Sequence, residues 1–123
     1  MTPHFSRLEL TCRCGCGFLP LQDFMDKVER LRVKFGKSLK VTSAARCPKH
    51  NKAVSGTGET GPHTTGRAID FGVQGQDALI LMRLAMDLGF TGIGVNQKGG
   101  GRFIHIDDLP NAAGQPRPWC WSY

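Results

Sequence analysis

The segment His63-Thr64-Thr65-Gly66-Arg67-Ala68-Ile69-Asp70 sets an imidazole and a carboxylate seven positions apart. Asp70 stands in an alternating, strand-like run in which Ala68, Asp70 and Gly72 share one face and Arg67, Ile69 and Phe71 the other. A carboxylate buried in such a strand is costly unless something compensates its charge. A metal ion is the natural compensator. A second alternating run, Arg102-Phe103-Ile104-His105-Ile106-Asp107, carries another histidine. Two imidazoles and one carboxylate leave a fourth tetrahedral position open, the pattern of a catalytic zinc rather than of a closed structural one. Zn2+ held by His63, Asp70 and His105 would polarise a carbonyl and lower the pKa of a water from about 15.7 to about 7.

The run His63-x2-Gly66-x-Ala68-x-Asp70, followed by a strand bearing His105, resembles the zinc D-Ala-D-Ala carboxypeptidase and murein endopeptidase family. That family includes phage endolysins and is similar in fold to the signalling domain of hedgehog. The segment Thr42-Ser43-Ala44-Ala45-Arg46-Cys47-Pro48-Lys49-His50-Asn51 is similar to the stretch before the family's first ligand. The resemblance extends from about Phe5 to the C-terminus. It implies a zinc metallopeptidase acting on the stem peptides or cross-links of bacterial peptidoglycan. It also implies that Arg46 contacts the substrate's carbonyl or carboxylate, a role that suits the donor fork of a guanidinium. His50 is a further candidate for polar contact with substrate.

Two departures stand out. Gly61 occupies the place where the family usually carries serine, and Arg102 the place, three residues before the last histidine, where many members carry an acidic base. Alternation puts Phe103, His105 and Asp107 on one face, so Asp107 is the nearest carboxylate and the expected general base. Orienting His105 as a hydrogen-bond acceptor is its other possible role. Asp108 points to the opposite face, and Glu59 reaches the site only if its loop folds over it. The missing acid at position 102 sustains the alternative of a catalytically inactive zinc-binding module for cell wall or protein.

The chain has 123 residues, 40% hydrophobic and 21% charged, the proportions of one ordinary globular domain spanning 1–123. No apolar run approaches the roughly 20 residues that cross a bilayer. Met1 to Arg7 contains no apolar segment of the secretory type, so delivery to a cell wall is expected by phage or by another route. The net charge of +6 favours an anionic partner, but Lys34, Lys37, Lys40, Lys49, Lys52, Arg67, Lys98 and Arg102 are scattered. No specific nucleic-acid partner is expected, and a basic zinc-containing nucleic-acid binder is the third reading. The expected actor is a monomer on peptidoglycan peptides.

Five cysteines leave at least one unpaired. Cys12, Cys14 and Cys16 alternate too tightly for the usual zinc-ligand spacing, and read as buried thiols or as a disulfide to Cys47 or Cys120 rather than as a second zinc site.

Several elements must position these groups. Residues 1–19 read as an irregular lead-in anchored by Phe5, Leu8 and Leu10. Leu21, Phe24, Met25, Val28, Leu31 and Phe35 form a helical stripe ended by Gly36. A strand follows over 39–42, then a short helix opened by Pro48, then a turn-rich loop over 55–62. A second helix spans about 76–88, with Ala78, Leu81, Leu84, Ala85 and Leu88 inward. Gly92 to Val95 and Arg102 to Asp107 read as strands joined by a glycine-rich hairpin loop that lacks the sequel of a phosphate-binding loop. Trp119, Trp121 and Tyr123 read as packing over the sheet. The expected fold is α+β, a small, mainly antiparallel sheet with helices packed on one side.

Overall fold

The computed structural model describes residues 1–123. Its helices are α1 (Arg7–Leu10), α2 (Gln22–Phe35), α3 (Pro48–Val54) and α4 (Gly75–Asp87), with a 3-10 turn over Pro62–Thr65. Its strands are β1 (Lys40–Ser43), β2 (Ala68–Gly72), β3 (Gly92–Asn96), β4 (Phe103–Asp107) and β5 (Trp119–Ser122). They form one sheet in the order β1-β2-β4-β3-β5, antiparallel throughout except for the parallel β3–β5 pair. The fold is α+β, as expected from the sequence. No helix is long and apolar enough to cross a membrane.

Alternation divides the sheet into two chemically different faces. One face aligns Ile69, Ile106 and Ile93 in one row and Phe71, Ile104 and Val95 in the next. Against it pack Phe24, Met25, Val28, Leu31 and Phe35 of α2 and Ala78, Leu81 and Ala85 of α4, in one continuous apolar core. Helix α2 ends at Gly36 in the left-handed region, whose N–H closes on the Arg32 carbonyl. The other face aligns Asp70, His105 and Gly94, and beside them Ala68, Asp107 and Gly92. The register therefore puts a carboxylate and an imidazole side by side on a face where glycines leave room.

Three expectations need correction. The lead-in contains a helical turn, capped by Ser6 accepting from the Glu9 N–H at 3.3 Å. That turn buries Leu10 and leaves Leu8, a proposed anchor, 87% exposed. The tail does not lie over the sheet but extends it: β5 pairs with β3 as an edge strand. The cysteines of residues 12–16 are neither all buried nor disulfide-bonded; Cys12 alone is buried and all five thiols are free.

Candidate metal centre

The 3-10 turn carries His63 to the polar face of the sheet, where β2 and β4 present Asp70 and His105. His63 Nδ1 lies 2.6 Å from the Ala44 carbonyl oxygen. A carbonyl only accepts, so Nδ1 carries the proton and donates, leaving the Nε2 lone pair free. That Nε2 is 3.2 Å from Asp70 Oδ1. His105 is fixed the opposite way round: Nε2 lies 2.7 Å from Asp107 Oδ2, and Nδ1 lies 3.0 Å from Asp70 Oδ1. With Nε2–H donating to Asp107, His105 presents its Nδ1 lone pair to the same centre. The ligand-capable atoms of His63, Asp70 and His105 all lie within 4.8 Å of one another, and all three residues are buried.

The electrostatics suit a cation. No lysine or arginine touches Asp70; its carboxylate faces only the two imidazoles. Burial works to raise its pKa, but imidazoles protonated toward it outweigh that and hold it well below the usual carboxylate range; a cation on the two lone pairs would stand in place of those protons. His105 is pushed the other way: burial disfavours its charged form, yet Asp107 and Asp70 on either side raise its affinity for positive charge. Two lone pairs and one ionised carboxylate, converging without a protein cation, are the donor set of a divalent metal with nitrogen and oxygen ligands.

Behind the ligands stands a second layer. Asp107 is wholly buried and bridged by Arg117, whose Nε donates to Oδ1 at 2.9 Å and whose second amino group donates to Oδ2 at 2.8 Å. The Leu109 N–H adds a third donor at 3.3 Å. Burial opposes ionisation of Asp107, while His105 and Arg117 together lower its pKa to about 2. Gly92 lies opposite Asp107, and a Cβ there would overlap both carboxylate oxygens. Only glycine makes room for this acceptor.

A cleft of about 440 Å³ opens beside His105, walled by Thr57, Thr60, Pro62, Gln115, Trp121 and Tyr123. The Trp121 ring lies 5.0 Å from the His105 ring, and Tyr123 packs on Phe103 at 4.9 Å. A more apolar depression of about 380 Å³, around Met86, Phe90 and Trp119, shares no residue with this cleft and none of the three candidate ligands.

Residues 3–107 match the family described as Peptidase M15. The chain belongs to the M15 peptidase family. No curated protein matches it. The fold and the resemblance read from its motifs agree with that membership, and an M15 peptidase is a metallopeptidase. The matched stretch contains His63, Asp70, His105 and Asp107 but stops short of Arg117, Trp121 and Tyr123.

The other candidates in this M15 peptidase are placed as follows. Asp107 does not fit the role of general base: it has no exposed surface, and both oxygens are already engaged on the far side of His105 from Asp70. Its geometry is that of the orienting acceptor. Arg102 sits on the hairpin loop with Nε donating to the Gly99 carbonyl. Asp108 is held by Arg67 at 2.8 and 2.7 Å, and Glu59 faces Lys52 at 3.7 Å. Arg46 donates to Asn51 at 3.1 Å and leaves a buried Nε without a partner. His50 and Arg46 line a depression of about 300 Å³ that shares no residue with the His105 cleft.

The glycine at position 61 also has a structural reason. A Cβ there would overlap the Thr57 side chain, which Asn51 holds through Nδ2 at 2.8 Å. The hydroxyl that a serine would bring is thus supplied nearby by Thr57, itself a wall of the cleft. Asn51, almost fully buried, links α3 to this loop and to Arg46. The residues that sequence reading missed are Arg117, Asn51 and the cleft aromatics. The one available signal for Arg117 was that a buried Asp107 demands a cation.

Proposed function

We propose that this M15 peptidase is a zinc enzyme that hydrolyses a peptide bond in the stem peptides or cross-links of bacterial peptidoglycan, acting at the cell wall as a single domain and a monomer. The observation that carries the reading is the convergence of the His63, Asp70 and His105 ligand atoms beside an open cleft. Zinc bound there would supply a Lewis acid for the scissile carbonyl and an activated water. The chain's own groups do the rest. The Ala44 carbonyl and Asp107 fix which ring nitrogens carry protons, so that both lone pairs aim at one point. Trp121 and Thr60 confine the substrate against His105.

Tyr123 is the proton donor on the cleft wall. Partial desolvation, with the negative charge of Asp70 adding to it, raises its pKa, so its hydroxyl stays protonated at neutral pH and can donate to a developing oxyanion. Arg46, whose positive charge acts on Tyr123 of the cleft wall, is assigned to the substrate carboxylate or carbonyl. His50 lines, with Arg46, the depression apart from the His105 cleft, and is assigned at most a distal contact with the same polymer.

One observation favours the alternative of a non-catalytic zinc module: no carboxylate other than Asp70 faces the ligand centre, since Asp107 is engaged and Arg102 replaces the expected acid. Incubation with purified monomeric and cross-linked muropeptides separates the readings. Loss of a terminal residue identifies a carboxypeptidase, and splitting of dimers identifies an endopeptidase. Intact muropeptides in the presence of zinc-loaded protein would favour the binding module.

A further inference from the structure

Three closely spaced cysteines and a distant fourth meet at one place. The sulfurs of Cys12, Cys14, Cys16 and Cys47 all lie within 4.8 Å of one another. Cys14 Sγ is 3.4 Å from Cys12 Sγ and 3.6 Å from Cys47 Sγ. Zinc–thiolate bonds of about 2.3 Å in a tetrahedron bring sulfurs to about 3.8 Å, so these separations are close to those of a four-thiolate site. The tight Cys-x-Cys-x-Cys spacing is made workable by Gly15, which sits at φ 84° and whose N–H turns back onto the Cys12 carbonyl at 3.2 Å.

We infer that Cys12, Cys14, Cys16 and Cys47 form a structural zinc site, separate from the histidine–aspartate centre. Two backbone N–H groups point at its sulfurs: Cys47 N–H to Cys12 Sγ and His50 N–H to Cys47 Sγ, both at 3.4 Å. Such donors stabilise thiolates, the form in which cysteine binds zinc. The loop also needs a fastening that apolar burial does not give. Residues 13–17 are all exposed, and Cys12 is the one buried side chain in the stretch 12–17. A closed four-sulfur site with no open position holds structure rather than substrate.

The site would staple the lead-in to the segment that orients His63. Cys47 follows Arg46, whose N–H donates to the His63 carbonyl at 3.1 Å, and Ala44, whose carbonyl receives His63 Nδ1–H. Ala45 N–H closes the same segment onto Leu10 at 3.3 Å. The two centres share no ligand, so each can be emptied without removing the other's donors.

The test is metal content and cobalt spectroscopy on the full chain, purified reduced and with zinc present. Two zinc ions per chain are expected, falling to one in His63→Ala and to one in Cys47→Ser. Cobalt(II) loaded into the His63→Ala chain should show intense thiolate-to-cobalt charge-transfer absorption. A mercurial titration should release one zinc per four thiols, with Cys120 reacting without release. A His63→Ala chain with no zinc and no charge-transfer band would overturn the proposal, as would an unreduced mass lighter by the hydrogens of two disulfides. Should Cys47→Ser fail to fold, the cobalt spectrum of the His63→Ala chain decides alone. Wild-type protein with one zinc that His63→Ala retains would support the cysteine site while contradicting the proposed catalytic centre.

Discussion

Asp107 acts through the ring of His105. Its carboxylate holds the Nε2 proton, and Arg117 in turn keeps that buried carboxylate ionised. Asparagine at position 107 could still accept from Nε2–H but would remove the charge that strengthens the imidazole as a ligand. Asp107→Asn is expected to weaken zinc binding about 10- to 100-fold. Chelator competition measures this, and unchanged affinity would show that the residue does not tune the ligand. Arg117→Ala leaves Asp107 buried without its principal cation. A loss of about 3 kcal/mol is expected in denaturant unfolding, together with weaker metal binding, whereas a shift confined to metal affinity would mean that Asp107 finds another partner.

At the scale of elements, the site depends on strand register and on two joints. Register places Asp70 opposite His105; alternation showed which residues share a face within each strand and ligand chemistry joined the two strands, whereas the pairing itself was not legible. The helices were legible from apolar stripes in α2 and α4 with glycine after each. The tail was not. Trp119, Trp121 and Tyr123 show alternation too short to distinguish an edge strand from packing over the sheet. Their parallel pairing with β3 joins segments more than twenty residues apart in the chain. Arg117 escaped notice with it, since its partner Asp107 had been given another role. Spacing alone leaves open whether Cys47 or Cys120 joins the cysteines of residues 12–16; the fold brings Cys47 against that loop.

The first joint is Arg67, which binds Asp108 through two donors and Asp23 of α2 at 3.0 Å, tying the start of β2 to the end of β4 and to the helix layer. Asp108 is nearly buried, and without Arg67 it keeps only Lys27 at 3.6 Å. Arg67→Ala should therefore cost about 2 kcal/mol, measured by urea unfolding. A change within experimental error would mean Lys27 and water suffice. The second joint is the tail itself. Trp121→Ala should keep zinc and fold but raise KM several-fold, because it removes a cleft wall that packs on the His105 ring yet supplies no ligand atom. Unchanged kinetics would place the substrate elsewhere.

Over the whole molecule, the sheet separates two tasks. One face is apolar and buried under α2 and α4, where it provides stability; the other carries the ionisable groups, with glycines opposite them and the tail at its edge. The positive net charge of +6 suits an anionic wall polymer. The departure at position 102 matters here, because catalysis without a free carboxylate base must draw on the metal site and Tyr123. The central claim is that His63, Asp70 and His105 hold a zinc that cuts peptidoglycan peptides. Mass spectrometry of purified peptidoglycan digested with the protein, with and without a chelator, tests it most directly. The account predicts new stem-peptide fragments that vanish on chelation and return with zinc. Fragments that persist when the metal is removed, or none at all from several wall types with zinc bound, would contradict it.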